Sequence, residues 1–183
     1  MKKILIVILI MTGIISYSQS NDKEHYISFS TGLDVRNSIV GSKPTNNKPA
    51  FNLLYQISIV SDNIEVNIGY ENFNRIKFDK YTIGVGYHFP LYGRVFNHQT
   101  KVVMVISVEP TIINRWGDNW GTTSSHLTIG GNIGFRGLIT DRIGVEYLLN
   151  ALPRTDLSSR YPEINPTIPI IYSNFVKLYY IIK

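Results

Sequence analysis

The chain has no cysteine, few charged residues and a single long apolar run. Each shortage narrows what it can be. Without cysteine there is no disulfide scaffold and no thiolate chemistry, so stability must come from a packed core or a closed sheet. Charged residues make up only 17% of the sequence. The apolar run, Ile4 to Ile15, is followed by nothing long enough for a membrane helix, which needs ~20 residues. Helical spacing is nowhere sustained, and no repeat, low-complexity tract or linker divides the chain.

The apolar run has the form of a targeting segment. Lys2 and Lys3 precede it, and Ser16, Tyr17 and Ser18 follow before Gln19, with small residues at the two positions that matter for cleavage. Residues 1–18 are therefore expected to be a secretory signal peptide and 19–183 a single domain. Setting Lys2 and Lys3 aside lowers the formal charge from +5 to +3. That balance gives no support to nucleic-acid binding.

What the sequence has in quantity is alternation. Twelve tyrosines and eight phenylalanines accompany it, a composition suited to strands. From Ser125, Leu127, Ile129, Ile133 and Phe135 alternate with polar residues and glycine. After Thr140-Asp141-Arg142 the pattern resumes with Ile143, Val145, Tyr147 and Leu149. Period-two alternation of this length predicts a strand hairpin with one apolar and one polar face. Similar segments are expected at about 25–36, 51–60, 64–73, 78–89, 101–115 and 170–182, which makes eight strands. Pro90 is expected to end the fourth, leaving a ten-residue link over 91–100.

Alternation alone does not say which face meets water. Gly32, Gly69, Gly84, Gly86, Gly130, Gly134 and Gly144 all fall on the polar face. A solvent-exposed surface does not need glycine there, whereas the crowded interior of an eight-stranded barrel does. Tyr55, Tyr70, Tyr81, Tyr87, Phe89, Tyr147 and Tyr180 share the apolar phase, several of them near segment ends, as interfacial girdles require. Short links after the second and sixth strands and long ones after the first, fifth and seventh complete the pattern.

On these features the chain resembles the small eight-stranded outer-membrane β-barrels of Gram-negative bacteria, the group containing the OmpA transmembrane domain and OmpX-like proteins. The resemblance implies an all-β, eight-stranded antiparallel up-and-down transmembrane barrel with periplasmic termini. It implies insertion by the barrel-assembly machinery, outer-membrane lipid as surroundings, a monomer, and a structural, adhesive or surface-recognition role without enzymatic activity. The terminal Lys183 departs from the aromatic end common in that group.

With the polar face inward, Asp34, Arg36, Glu65, Glu71, Lys80, Glu109, Arg136, Glu146 and Lys177 are expected to form a lumen charge network, with Arg136 opposite Glu146. Charges taken out of water must pair. Trp116 and Trp120 flank an external loop and are candidates for membrane-interface or partner contacts. His126, beside Ser124 and Ser125, invites a serine-histidine-carboxylate reading, but pairing about Asp141 keeps it far from Glu146. No histidine spacing suits a metal, and Gly130–Gly134 opens no helix, so no nucleotide or other cofactor is expected. The network is expected to plug the lumen, with a gated ion path through rearranging pairs as the other reading of it. Two further alternatives stay open. One is a soluble lipocalin-like barrel with Ile129, Phe135, Val145 and Tyr147 around an apolar ligand; the other is a lipid A-modifying enzyme.

Overall fold

The alternating segments form a closed sheet. The computed structural model describes residues 24–41, 48–95, 98–116, 124–158 and 168–182. The strands are β1 (Glu24–Asp34), β2 (Leu53–Asp62), β3 (Ile64–Phe73), β4 (Phe78–Val95), β5 (His98–Arg115), β6 (Ser124–Leu138), β7 (Ile143–Pro153) and β8 (Ile170–Ile182). Two short helices, α1 (Val35–Ile39) and α2 (Thr155–Ser158), follow β1 and β7. Each strand pairs antiparallel with its chain neighbour, and β1 pairs with β8 to close the barrel. The expected signal peptide, residues 1–18, and Trp120 lie outside the described residues.

The register fixes the geometry. Partners traced from Glu24 lead through Asp62, across the turn to Asn63, then to His88, Val105, Gly134, Leu148 and Phe175. They return to β1 at Asp34, ten residues beyond the start. Such a stagger tilts the strands by roughly 35–45° and leaves an interior just wide enough for side chains.

The two faces are opposite in kind to those of a water-soluble barrel. Outward-pointing Ile68, Ile129 and Leu127 are 64%, 62% and 73% exposed, whereas inward-pointing Glu146 and Lys177 are each 1% exposed. The lipocalin-like alternative requires the reverse and is excluded. A belt of isoleucine, valine and leucine of this extent needs an apolar medium around it. Tyr55, Tyr70 and Tyr81 lie side by side across β2, β3 and β4 at the loop end. Tyr87 and Tyr180 lie towards the turn end, on which Glu24 and Ile182 also fall.

Glycine gives large inward side chains room to cross the lumen. A Cβ on Gly32 would stand 2.6 Å from Cγ of Lys177, and one on Gly134 would stand 2.7 Å from a Glu146 carboxylate oxygen. A Cβ on Gly144 would likewise run into the Tyr179 ring.

Three sequence expectations are corrected. Arg36 is exposed in α1 and takes no part in the lumen. β1 ends two residues earlier because the Asp34 carboxylate accepts hydrogen bonds from the Asn37 backbone N–H at 3.1 Å and side-chain amide at 2.9 Å, capping the helix. Pro90 does not end β4, and the link over 91–100 is instead the far end of a long hairpin whose last pair is Val95 with His98. The His88 N–H donates to Asn63 O at 2.7 Å, so two residues on, the missing proline N–H faces the side where β3 has already ended. A proline there forfeits no ladder bond. Finally, the second strand begins at Leu53, so Phe51 precedes it.

Candidate functional site

The lumen is a stack of polar and apolar layers. Near the turn end, the Glu146 carboxylate accepts from Arg136 Nε at 3.1 Å, Arg136 Nη2 at 2.9 Å and Lys177 Nζ at 3.1 Å. Register places Arg136 directly opposite Glu146, and Glu146 opposite Lys177 on the other side. Arg136 Nη2 also lies 3.2 Å from Glu65. The Glu65 carboxylate receives the Ser58 hydroxyl at 2.6 Å and sits 2.6 Å from His88 Nε2. Lys177 bonds Gln56 as well, and the Arg136 guanidinium lies 5.0 Å from the Tyr179 ring centre. Two cations, two carboxylates and a histidine thus share one buried cluster.

An apolar layer of Leu54, Leu148 and Phe175 covers this cluster. Above it a second polar layer begins. Lys80 pairs with Glu71 at 2.5 Å, and Asn52 donates to Glu71 at 2.9 Å. Asn150 donates to Asn132 at 2.6 Å, and Asn132 to Ser107 at 3.0 Å. Glu109 lines a cavity of about 10 Å³ here, beside Lys80 and Thr82, room for about one water. A second apolar layer, Phe73, Phe78, Ile113 and Leu152, closes this chamber towards the loops.

The outer mouth carries a clamp. Asp156 accepts from Arg154 Nε at 2.7 Å, Arg154 Nη2 at 2.6 Å and Arg115 Nε at 2.8 Å. Both guanidiniums lie over the Phe78 ring, at 4.7 Å and 5.4 Å from its centre. Burial pushes the Asp156 carboxyl up, but the hydrogen bonds and charges of the two arginines outweigh it and hold the group below its ordinary value. This contact ties α2, and with it the start of the β7–β8 loop, onto the lumen mouth.

The structure brings together Glu65, Arg136, Glu146 and Lys177 in one layer and Glu71 with Lys80 in another. Asp34 serves as a helix cap, Glu109 faces the chamber, and Arg36 is outside. His88, Gln56 and Ser58 join the lower cluster although only their phase, not their role, was readable in the sequence. The Arg115–Asp156–Arg154 clamp gave no alternating signal, because two of its members lie past the end of β7. His126 stands opposite Ile113 near the mouth, while Glu146 pairs with Arg136 towards the other end. No serine-histidine-carboxylate site is assembled from them. Among the described residues no group of three or more histidine, aspartate or glutamate side chains is disposed to hold a metal ion. Trp116 is half-buried at the loop rim, where its backbone N–H donates to Lys77 O at 3.2 Å.

No family model matches the sequence, and no curated protein matches it. Among solved structures, the chain is similar to the N-terminal β-barrel domain of Pseudomonas aeruginosa OprF, with a TM-score of 0.59 and 9% identity over 88% of this chain and 100% of that one. It is also similar to Neisserial surface protein A (NspA), with a TM-score of 0.50 and 13% identity over 87% of this chain and 96% of that one. At these identities the likeness is one of fold: a small eight-stranded barrel of the outer-membrane type.

Proposed function

We infer, from a closed up-and-down barrel of that type, that the chain resides in an outer membrane as a sealed, non-enzymatic wall whose loops carry any adhesion or recognition. The observation that supports this reading is the sidedness of the sheet, apolar outward and ion-paired inward. In this reading residues 1–18 direct export, the barrel-assembly machinery inserts the monomer, and the surrounding lipid is its standing partner. Neither cofactor nor nucleic acid enters.

Sealing follows from the layering. An ion crossing the lumen would have to breach Leu54–Leu148–Phe175 and Phe73–Phe78–Ile113–Leu152 and displace a buried ion-paired cluster between the lower layer and the turn end. The purified barrel in a planar bilayer is expected to give negligible current, and Glu146→Gln combined with Arg136→Met is expected to leave it negligible. Regular unitary openings of the wild-type protein would overturn the sealed-wall reading in favour of a pore. Recovery of the protein from cells in a fraction soluble without detergent would overturn the membrane location itself.

A further inference from the structure

We propose that the tip joining β3 to β4 is a binding site for the phosphate of a lipid headgroup, formed by Arg75 and Lys77; this rests on the membrane reading above. Along the outer face of this hairpin, the exposed pair Ile68 and Ile83 is followed by Tyr70 and Tyr81, whose ring centres are 5.1 Å apart. Asn72 and Asp79 come next, and then Arg75 and Lys77, both exposed. The order is lipid, interface, headgroup.

The tip is short and tethered. Asn74–Ile76 form a single 3₁₀ turn, Lys77 takes a left-handed conformation at φ 51°, and its N–H donates to Asn74 O at 3.1 Å. Its carbonyl accepts the Trp116 backbone N–H at 3.2 Å. The backbone that carries the cations therefore stays within a few residues of the tyrosine pair, on the order of 10–15 Å along a tilted strand. Tyrosine and tryptophan at this level hold the boundary of the hydrocarbon, and a guanidinium and an ammonium carried two residues apart on one tight turn suit the oxygens of a phosphate.

The nearby charges agree with an anionic occupant. Asp79, the carboxylate on this face, accepts from the Tyr70 hydroxyl at 2.9 Å and the Asn72 amide at 2.7 Å, so its own hairpin engages it. Arg115 and Arg154 on the same rim are drawn into the mouth by Asp156. The opposite rim is mixed in sign: Asp62 and Asp141 are exposed at its turns, and Arg142 leans on the Tyr180 hydroxyl at 3.5 Å.

The test is lipid retention by the refolded barrel in non-ionic detergent micelles doped with phosphatidic acid or with diacylglycerol, the same lipid without its phosphate, read by native mass spectrometry. Wild type is expected to retain phosphatidic acid preferentially, and Arg75→Gln with Lys77→Gln is expected to lower that preference about thirty-fold, the order of effect two cations exert beside an anionic surface. Arg142→Gln on the other rim is expected to leave it unchanged. Equal retention of both lipids by wild type, or an undiminished preference in the double variant, would overturn the proposal. So would complete displacement of the lipid by millimolar inorganic phosphate, which would make a free anion the occupant. Heat-modifiable gel mobility is followed in parallel: its absence in wild type counts against the membrane barrel, and its presence without lipid preference counts against this site alone.

Discussion

Glu146→Ala is expected to destabilise the folded barrel by about 3–5 kcal/mol, the cost of leaving a buried charge uncompensated. Glu146 is the shared acceptor of Arg136 and Lys177, at 2.9 Å and 3.1 Å. Its removal takes from Arg136 and Lys177 the carboxylate they share, and leaves Arg136 paired with Glu65 and Lys177 hydrogen-bonded to the Gln56 amide. Neither cation can turn to solvent, since Arg136 and Lys177 are 4% and 1% exposed. Urea titration of the folded, heat-modifiable band reads the loss. A companion variant separates an orphaned charge from a lost contact: adding Lys177→Met to Glu146→Ala removes one stranded cation and is expected to recover part of the stability. A single-variant loss below ~1 kcal/mol, the size of an exposed ion pair, would show that water reaches the cluster.

Gly144→Ala is the second large effect, about 1–3 kcal/mol from overpacking. A Cβ at this position would stand 2.5 Å from the Gly137 carbonyl oxygen and would also run into the Tyr179 ring and hydroxyl. The carbonyl belongs to the β6 backbone, which is held in register against β7, so it cannot step aside without breaking pairs. Tyr179 is wedged beneath Arg136, so moving it disturbs the charge cluster as well. Gly137→Ala is the matched control, because a Cβ there meets nothing within 4 Å. It is expected to be close to neutral in the same urea titration. Equal losses for the two alanine variants would mean that strand propensity, not the fit of Tyr179 against Gly144, sets the cost.

Much of this architecture was legible because a sheet has a period of two. β3 and β8 match their expected bounds, and pairing counted from the turn at Asp141 puts Arg136 opposite Glu146 as the register has it. The inward glycines were equally informative: Gly32, Gly134 and Gly144 are each filled by a neighbour's side chain. What alternation could not convey is where a strand gives way to something else. Asp34 stops β1 by capping a helix, which is a local hydrogen-bond decision invisible to polarity, and so Arg36 left the lumen phase. Pro90 misled in the other direction, since whether its missing N–H matters depends on where β3 ends. The apolar layers inside the lumen were also hidden. Leu54, Leu148 and Phe175 come from three strands, and their meeting depends on the ten-residue stagger rather than on any one segment. The mouth clamp joins the end of β5 to residues beyond β7, a pairing that only closure of the barrel creates.

The apolar face of the sheet must meet lipid for all of this to hold, and the absence of cysteine makes a direct measurement clean. Single cysteines at Ile68 and Ser58, spin-labelled in the barrel reconstituted in bilayers, are compared for collision with oxygen and with a water-soluble nickel complex. At position 68 the label is expected to collide strongly with oxygen and weakly with nickel, as in hydrocarbon; at position 58 it is expected to be shielded from both, inside a packed lumen. A label at 68 quenched mainly by nickel, or one at 58 reached freely by oxygen as in lipid, would contradict it.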